Sequence, residues 1–229
     1  MEIEKPIIFS TAMVQAILEG RKSQTRRIVK GTALQWLDDS GFTPEFVASP
    51  YNDLCPYGQS GDALWVKETF YAYGHWTKVT DTETGKVKWS FQDLTISEGY
   101  SYQYVAWVDF GKQSTISTGR GSIGWYKRPA IFMPRVAARI FLKVENVRVD
   151  RLQDITEQDA MNEGANPMLF HLNIHEQIDS SHVFYDHAPA KFRTGFEYLW
   201  NKINGTRATW ESNPWVWVVE FSRIENYGK

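Results

Sequence analysis

Ile17-Leu18-Glu19-Gly20-Arg21-Lys22-Ser23-Gln24-Thr25-Arg26-Arg27-Ile28-Val29 reads as the end of a helix passing into the start of a strand, with Gly20 at the join. Glycine is the usual residue just past a helix because it enters the left-handed region without a Cβ penalty. Arg21, Lys22, Arg26, Arg27 and Lys30 crowd the turn and strand that follow, with the hydroxyls of Ser23 and Thr25 among them and no acid. Lys22 and Thr25 are three apart. On a straight strand they face opposite sides, whereas in a 3₁₀-like turn positions i and i+3 eclipse. If the turn continues past Gly20, an amine and a hydroxyl meet there. A solvated basic turn is the plainer reading of the same residues.

Working outward, Pro6-Ile7-Ile8-Phe9 is a short apolar run fit for a buried strand. Ser10 or Thr11 can cap a helix that carries Met13, Val14, Ile17 and Leu18 at helical spacing. Residues 31–60 are broken by Gly41, Pro44, Pro50, Pro56 and Gly58, a length of irregular chain that is uncommon unless it covers something. Gly61-Asp62 turns into Ala63-Leu64-Trp65-Val66-Lys67-Glu68-Thr69-Phe70. There Glu68 shares a face with Leu64 and Val66 and needs a cation if it is buried.

Residues 71–134 read as aromatic, polar and irregular, with a hairpin tip at Thr84-Gly85-Lys86 and strand-like alternation over Tyr100–Val105. Arg135–Val149 alternates as a long strand or hairpin. Thr156 and Asp159 form a capping box for a helix that reaches Glu163 and stops at Gly164. Phe192, Phe196, Leu199, Trp200 and Ile203 make an amphipathic helix ending near Asn204-Gly205. Trp215–Phe221 is a β-rich run long enough for a central strand. This order predicts an α+β fold, a small barrel or curled sheet with long loops.

Whole-chain properties bound the function. A net charge of −2 over 229 residues removes gross charge as a driver of nucleic-acid binding, so any such binding needs a local basic patch. Ten Trp, eleven Tyr and thirteen Phe supply both core and surfaces on which bases can stack. The single Cys55 excludes an internal disulfide and a multi-cysteine zinc cage. It reads as a buried residue rather than a nucleophile, since no histidine adjoins it. An acidic N-terminus without a following apolar region, and no run near the roughly 20 apolar residues of a membrane span, predict a soluble cytoplasmic protein. His171 and His175 are four apart and could share a helical face as metal ligands, with His182 or His187 as a third. They lack an HExxH arrangement and a convincing helix, so neither metal nor cofactor is expected. Tyr100, Tyr102, Tyr104, Trp107, Trp125 and Tyr126 can stack bases, but packing is the default reading.

Four segments together resemble the ASCH domain family, a branch of the PUA-like superfamily. They are Leu18–Arg27, Gly61–Val66, Leu152–Gly164 and Trp215–Phe221. With Ile131-Phe132-Met133-Pro134-Arg135 and Ile203-Asn204-Gly205 included, the layout is most similar to phage- and prophage-encoded ASCH proteins. The resemblance implies one domain over 1–229. This would be a PUA-like curled antiparallel β-barrel with flanking helices and insertions at about 31–60, 70–134 and 165–188. It also implies RNA or nucleoside handling.

A shorter bacterial member of the family hydrolyses N4-acetylcytidine with a Lys, a Thr and a Glu, which fall here on Lys22, Thr25 and Glu163. This chain departs from it by its insertions and by Gln24 in place of an apolar residue. The implied chemistry is a Lys-activated hydroxyl with a Glu proton shuttle. Arg21, Ser23, Arg26, Arg27 and Glu68 are then candidates for holding substrate or nucleic acid. Two readings stay open: an amidohydrolase acting on an N4-acylated cytidine, and a non-catalytic binder of RNA or modified bases serving an accessory or regulatory role. A purely structural phage protein has no need of the Lys–Thr–Glu trio.

Overall fold

In the computed structural model, which describes residues 4–38, 41–104, 121–167, 191–225 and 227, helix α1 (Thr11–Leu18) ends in a Schellman turn. The Gly20 amide donates to Ile17 O at 3.1 Å and the Arg21 amide to Ala16 O at 2.8 Å, with Gly20 at φ +74°. The turn then opens into strand β2 (Gln24–Ile28). Strand β1 (Glu4–Ile8) precedes α1, as the apolar run at Pro6 predicts.

The chain folds as two compact units, one of residues 1–5, 13–64 and 141–229 and one of residues 6–12 and 65–140. The remaining strands are β3 (Ala63–Lys67), β4 (Phe70–Thr80), β5 (Val87–Asp93), β6 (Gly124–Arg128), β7 (Phe141–Arg151) and β8 (Trp215–Ile224). They form one sheet of order β1-β3-β7-β8-β2 and a second of order β5-β4-β6. The fold is mixed α+β, as expected, with sheet predominating over helix. The five-stranded sheet is not closed into a barrel among the described residues.

In the first unit β8 lies between β7 and β2 and is antiparallel to both. Gln24 stands opposite Glu220 and Ile28 opposite Val216. A bulge between Val144 and Asn146 shifts the β7–β8 register. Helix α4 (Glu157–Asn162) begins at the expected capping box, with Thr156 Oγ1 accepting from the Asp159 amide and the Asp159 carboxylate accepting from the Thr156 amide. Helix α5 (Phe192–Asn204) is tied to α4 by Glu157, whose carboxylate accepts the amides of Phe192 at 2.9 Å and Arg193 at 3.3 Å. That places a negative charge on the amides that an α-helix leaves unsatisfied at its start. Phe196 and Trp200 of α5, Leu152, Ile155, Ala160, Trp210, Val216 and Val218 form the buried cluster beneath.

Residues 31–60, read as irregular, contain two short helices, α2 (Thr32–Asp38) and α3 (Pro44–Ala48), and a 3₁₀ turn at Pro50–Asn52. The Thr43 hydroxyl caps α3 by accepting from the Phe46 amide. Helices this short carry too little periodicity to announce themselves in sequence.

The second unit corrects the irregular reading of 71–134, because β4, β5 and β6 form a regular antiparallel sheet. The β4–β5 hairpin turns at Asp81–Lys86, where the Asp81 amide donates to Lys86 O, as Thr84-Gly85-Lys86 predicts. Tyr100–Tyr104 is not a strand. Only Gln103 pairs there, in an isolated bridge with Tyr71. Its tyrosines pack instead, Tyr102 edge-on against Phe70 and Tyr100 against Tyr73 and Trp125. Val105, Trp107, the four histidines at 171–187 and most of the expected 165–188 insertion lie outside the described residues.

Candidate functional site

Lys22 sits between the Schellman turn and β2, where its backbone forms an isolated bridge with Glu163. The Ser23 amide donates to Asn162 O at 2.8 Å, so the end of α4 is hydrogen-bonded to this short extended segment. Gly164 permits the close approach. Its φ is +74°, and a Cβ there would lie 3.1 Å from Ala16 Cβ and 3.2 Å from Lys22 Cβ.

The Lys22 side chain is 1% exposed. Its Nζ donates to Gln24 O at 2.7 Å, Glu163 O at 2.8 Å and Glu163 Oε2 at 2.9 Å. Three acceptors match the three N–H groups of an ammonium. They also suit the alternative in which the proton rests on Glu163. The carboxylic O–H then donates back to Nζ, and the two N–H groups that remain keep the two carbonyls. The hydrogen-bond count is the same in either arrangement. Burial lowers the Lys22 pKa below the ordinary lysine value; Glu163 pulls it back up, and Arg27 and Arg26 add to the lowering.

Beyond the pair runs a ladder of charge. Arg26, its side chain fully buried, donates from Nη1 to Glu163 Oε1 at 3.3 Å and from Nη2 to Asp159 Oδ2 at 3.1 Å. Asp159 Oδ1 accepts from Arg148 Nη2 at 3.2 Å, and Arg148 also pairs with Asp150 and Glu220. The buried Gln24 amide belongs here too, its nitrogen turned to Asp159 and its oxygen to Arg26. The polar Gln24 therefore meets charged partners in the ladder. Burial pushes the Asp159 carboxyl up, but Arg26 and Arg148 outweigh it and hold it below its ordinary value.

Next to the ladder lies a cavity of ≈ 490 Å³, within the size range of about 300–1,000 Å³ for small-molecule sites. Thr25 and Glu163 line it together with Arg26, Arg27 and Ile28. Trp217 of β8, Phe196 and Trp200 of α5, and Tyr57 add aromatic surface. Leu54, Pro56 and Tyr57 come from the 31–60 segment, so that stretch does cover something. Arg27 is half-buried, and its guanidinium is lowered by burial against the opposing pull of Tyr57 and Glu163.

The trio is brought together in part. Lys22 and Glu163 are in direct contact, and Glu163 and Thr25 share the cavity. The expected meeting of Lys22 with Thr25 does not occur. The chain is extended after Gly20 rather than a continuing turn, and Thr25, a buried residue that lines the cavity, makes no side-chain hydrogen bond among the described residues. Glu163 is the link between the amine and the cavity.

Of the binding candidates, Arg26 and Arg27 line the cavity. Arg21 is exposed and bonded to Glu19 at 2.7 Å through Nε, and Ser23 is exposed; neither is among the lining residues. Glu68 belongs to the second unit. There it accepts from Arg139 Nε at 2.8 Å and Nη2 at 3.0 Å, the ion-pair alternative that its buried position demanded. Cys55 is buried and its thiol is pushed up to about 11 by burial, which leaves it unreactive. Among the described residues no group of three or more His, Cys, Asp or Glu side chains could hold a metal ion, and no helix is long and apolar enough to cross a membrane.

Sequence reasoning missed Tyr57, Lys30, Arg207, Trp217 and the cavity-facing side of α5. The signal available was α5 itself, where Leu199 and Ile203 extend the apolar face beyond what its buried residues Phe196 and Trp200 need. It also missed Arg148 and Glu220, which meet across the β7–β8 pairing. Compared with known proteins, the chain matches no family model, no curated protein and no solved structure.

Proposed function

We propose that this is an ASCH-like protein of PUA-related architecture that handles nucleosides, and that it removes the acyl group from an N4-acylated cytidine. The observation that carries the reading is Glu163, one carboxylate that both lines the cavity and holds Lys22 at 2.9 Å. Aromatic walls suit a pyrimidine ring. In this reading the pair enters the step one proton short, with Lys22 a neutral amine, a form its burial favours. The Thr25 hydroxyl attacks the acyl carbon and its proton passes through Glu163 to the pair. The C–N4 bond then breaks, and the pair returns that proton to the departing nitrogen. Water cleaves the acyl-threonine, releases the carboxylic acid and restores the hydroxyl. A pair whose hydrogen-bond count is the same in either arrangement suits both directions of transfer.

A second reading, a non-catalytic binder of modified bases or RNA, draws on the same geometry. Lys22 has its three donors satisfied and makes no bond to Thr25, as a purely structural lysine would. Incubating the purified protein with N4-acetylcytidine and following cytidine by chromatography separates the two. Turnover abolished by Thr25→Val or Glu163→Gln supports the hydrolase. Binding without turnover supports the second reading.

A further inference from the structure

The charge lining the cavity is unbalanced. Arg26, Arg27, Lys30 and Arg207 face one carboxylate, Glu163, among the described residues. Arg26 is already committed to Glu163 and Asp159. Lys30 and Arg207 are different: both are exposed, and neither has an ion-pair or hydrogen-bond partner for its side chain among the described residues. They come from separate places, the turn after β2 and the turn after α5, where the Arg207 amide donates to Asn204 O at 2.7 Å. Two uncommitted cations brought from distant segments to one small cavity, beside aromatic walls, present the donors that a phosphate group accepts from.

We propose that the ligand of this cavity is a nucleoside monophosphate rather than a free nucleoside, its phosphate held by Lys30 and Arg207. The proposal rests on the reading of the cavity as a nucleoside site. A single nucleotide also suits a cavity of ≈ 490 Å³ better than a polymer does. An exposed cation loses little hydration on meeting phosphate, so the phosphate adds affinity while the base sets orientation.

Isothermal titration calorimetry tests this without relying on catalysis. The probes are cytidine, cytidine 5′-monophosphate, inorganic phosphate and a short cytidine-containing oligoribonucleotide. The expected result is about tenfold or tighter binding of the monophosphate than of cytidine, with an advantage that shrinks as salt is raised. In Lys30→Ala and Arg207→Ala the ratio of the two affinities falls towards one. Equal affinities for cytidine and its monophosphate overturn the proposal. So does inorganic phosphate binding as tightly as the nucleotide, which marks a general anion site, or an oligonucleotide binding more tightly, which marks an RNA site. The two readings fail separately. Phosphate preference without deacetylation sinks the hydrolase and leaves this inference standing. Deacetylation of N4-acetylcytidine and of its monophosphate with equal efficiency does the reverse, and no binding of any probe overturns this inference while turnover alone decides the hydrolase.

Discussion

Lys22 and Glu163 meet twice, through an isolated backbone bridge and through a side-chain contact of 2.9 Å between Nζ and Oε2. The bridge fixes the spacing from which the side chains reach each other. The pair is thus held by main chain on both sides, and substitutions within it test chemistry with the backbone in place.

In Lys22→Arg the guanidinium remains protonated and cannot take up the proton that Glu163 collects. Turnover of N4-acetylcytidine should fall to the level of Lys22→Ala. Glu163→Gln should lower turnover by about 10²–10⁴-fold, the usual worth of a positioned proton-transfer group. It should also reduce stability to urea by about 3–5 kcal/mol, because a buried ammonium loses its carboxylate. A Lys22→Arg protein of near wild-type rate would remove the pair from the mechanism.

Thr25→Val separates function from structure cleanly. Thr25 is a buried residue at the cavity wall whose hydroxyl makes no hydrogen bond among the described residues, so replacing it with a methyl group should leave stability nearly unchanged. Turnover should be lost. Thermal melting and a deacetylation assay on the same preparation check both halves, and a marked fall in melting temperature would mean that the hydroxyl is structural.

Asp159 predicts an acid limb in stability. Its carboxyl is held below its ordinary value in the folded protein, burial being outweighed by Arg26 and Arg148. The stability it contributes is therefore present above the unfolded value of about 4 and is lost as pH falls through the lower folded value. Urea denaturation of the wild type should show this decline below pH about 4. Asp159→Asn should start lower at neutral pH and decline less steeply. Identical slopes would show that Asp159 does not couple folding to pH.

Away from the cavity, Arg128 lies over three rings of the second unit, 4.3 Å from the Phe91 centroid, 4.7 Å from Trp76 and 5.0 Å from Phe132. Lysine keeps the charge but not the planar stacking surface. Arg128→Lys should cost about 1–2 kcal/mol in denaturation experiments and leave deacetylation unaffected. A neutral substitution would show that the rings pack well without the guanidinium.

Local signals were legible where one residue type has one physical use. Gly20 and Gly164 marked helix ends, and both adopt the left-handed conformation. The Thr156–Asp159 capping box and the β-rich run of β8 were equally plain. What could not be read was partnership at a distance. Asp159 announces itself as a cap, yet nothing in its neighbourhood says that Arg26 and Arg148 will also bond to it. Whether Lys22 meets Thr25 stays open in the sequence because it depends on how far a turn continues past Gly20. The β4–β5–β6 sheet was missed because its strands mix aromatic and polar residues on both faces and read as irregular.

The pairing of β2 with β8 also sets a clock. Gln24 finds its partner in Glu220, and the Phe221 amide closes on Ser23 O at 2.8 Å, so almost the whole described chain lies in the loop between them. Contacts so remote in sequence form late, after local hairpins and helix pairs. The cavity, which takes Thr25 from one of these strands and Trp217 from the other, cannot exist before that moment. Pulsed hydrogen-exchange labelling should find the amides that join β2 to β8 among the last to be protected during refolding. A chain that has not completed β8 then has no site at all, and activity, wherever it appears, certifies a finished fold.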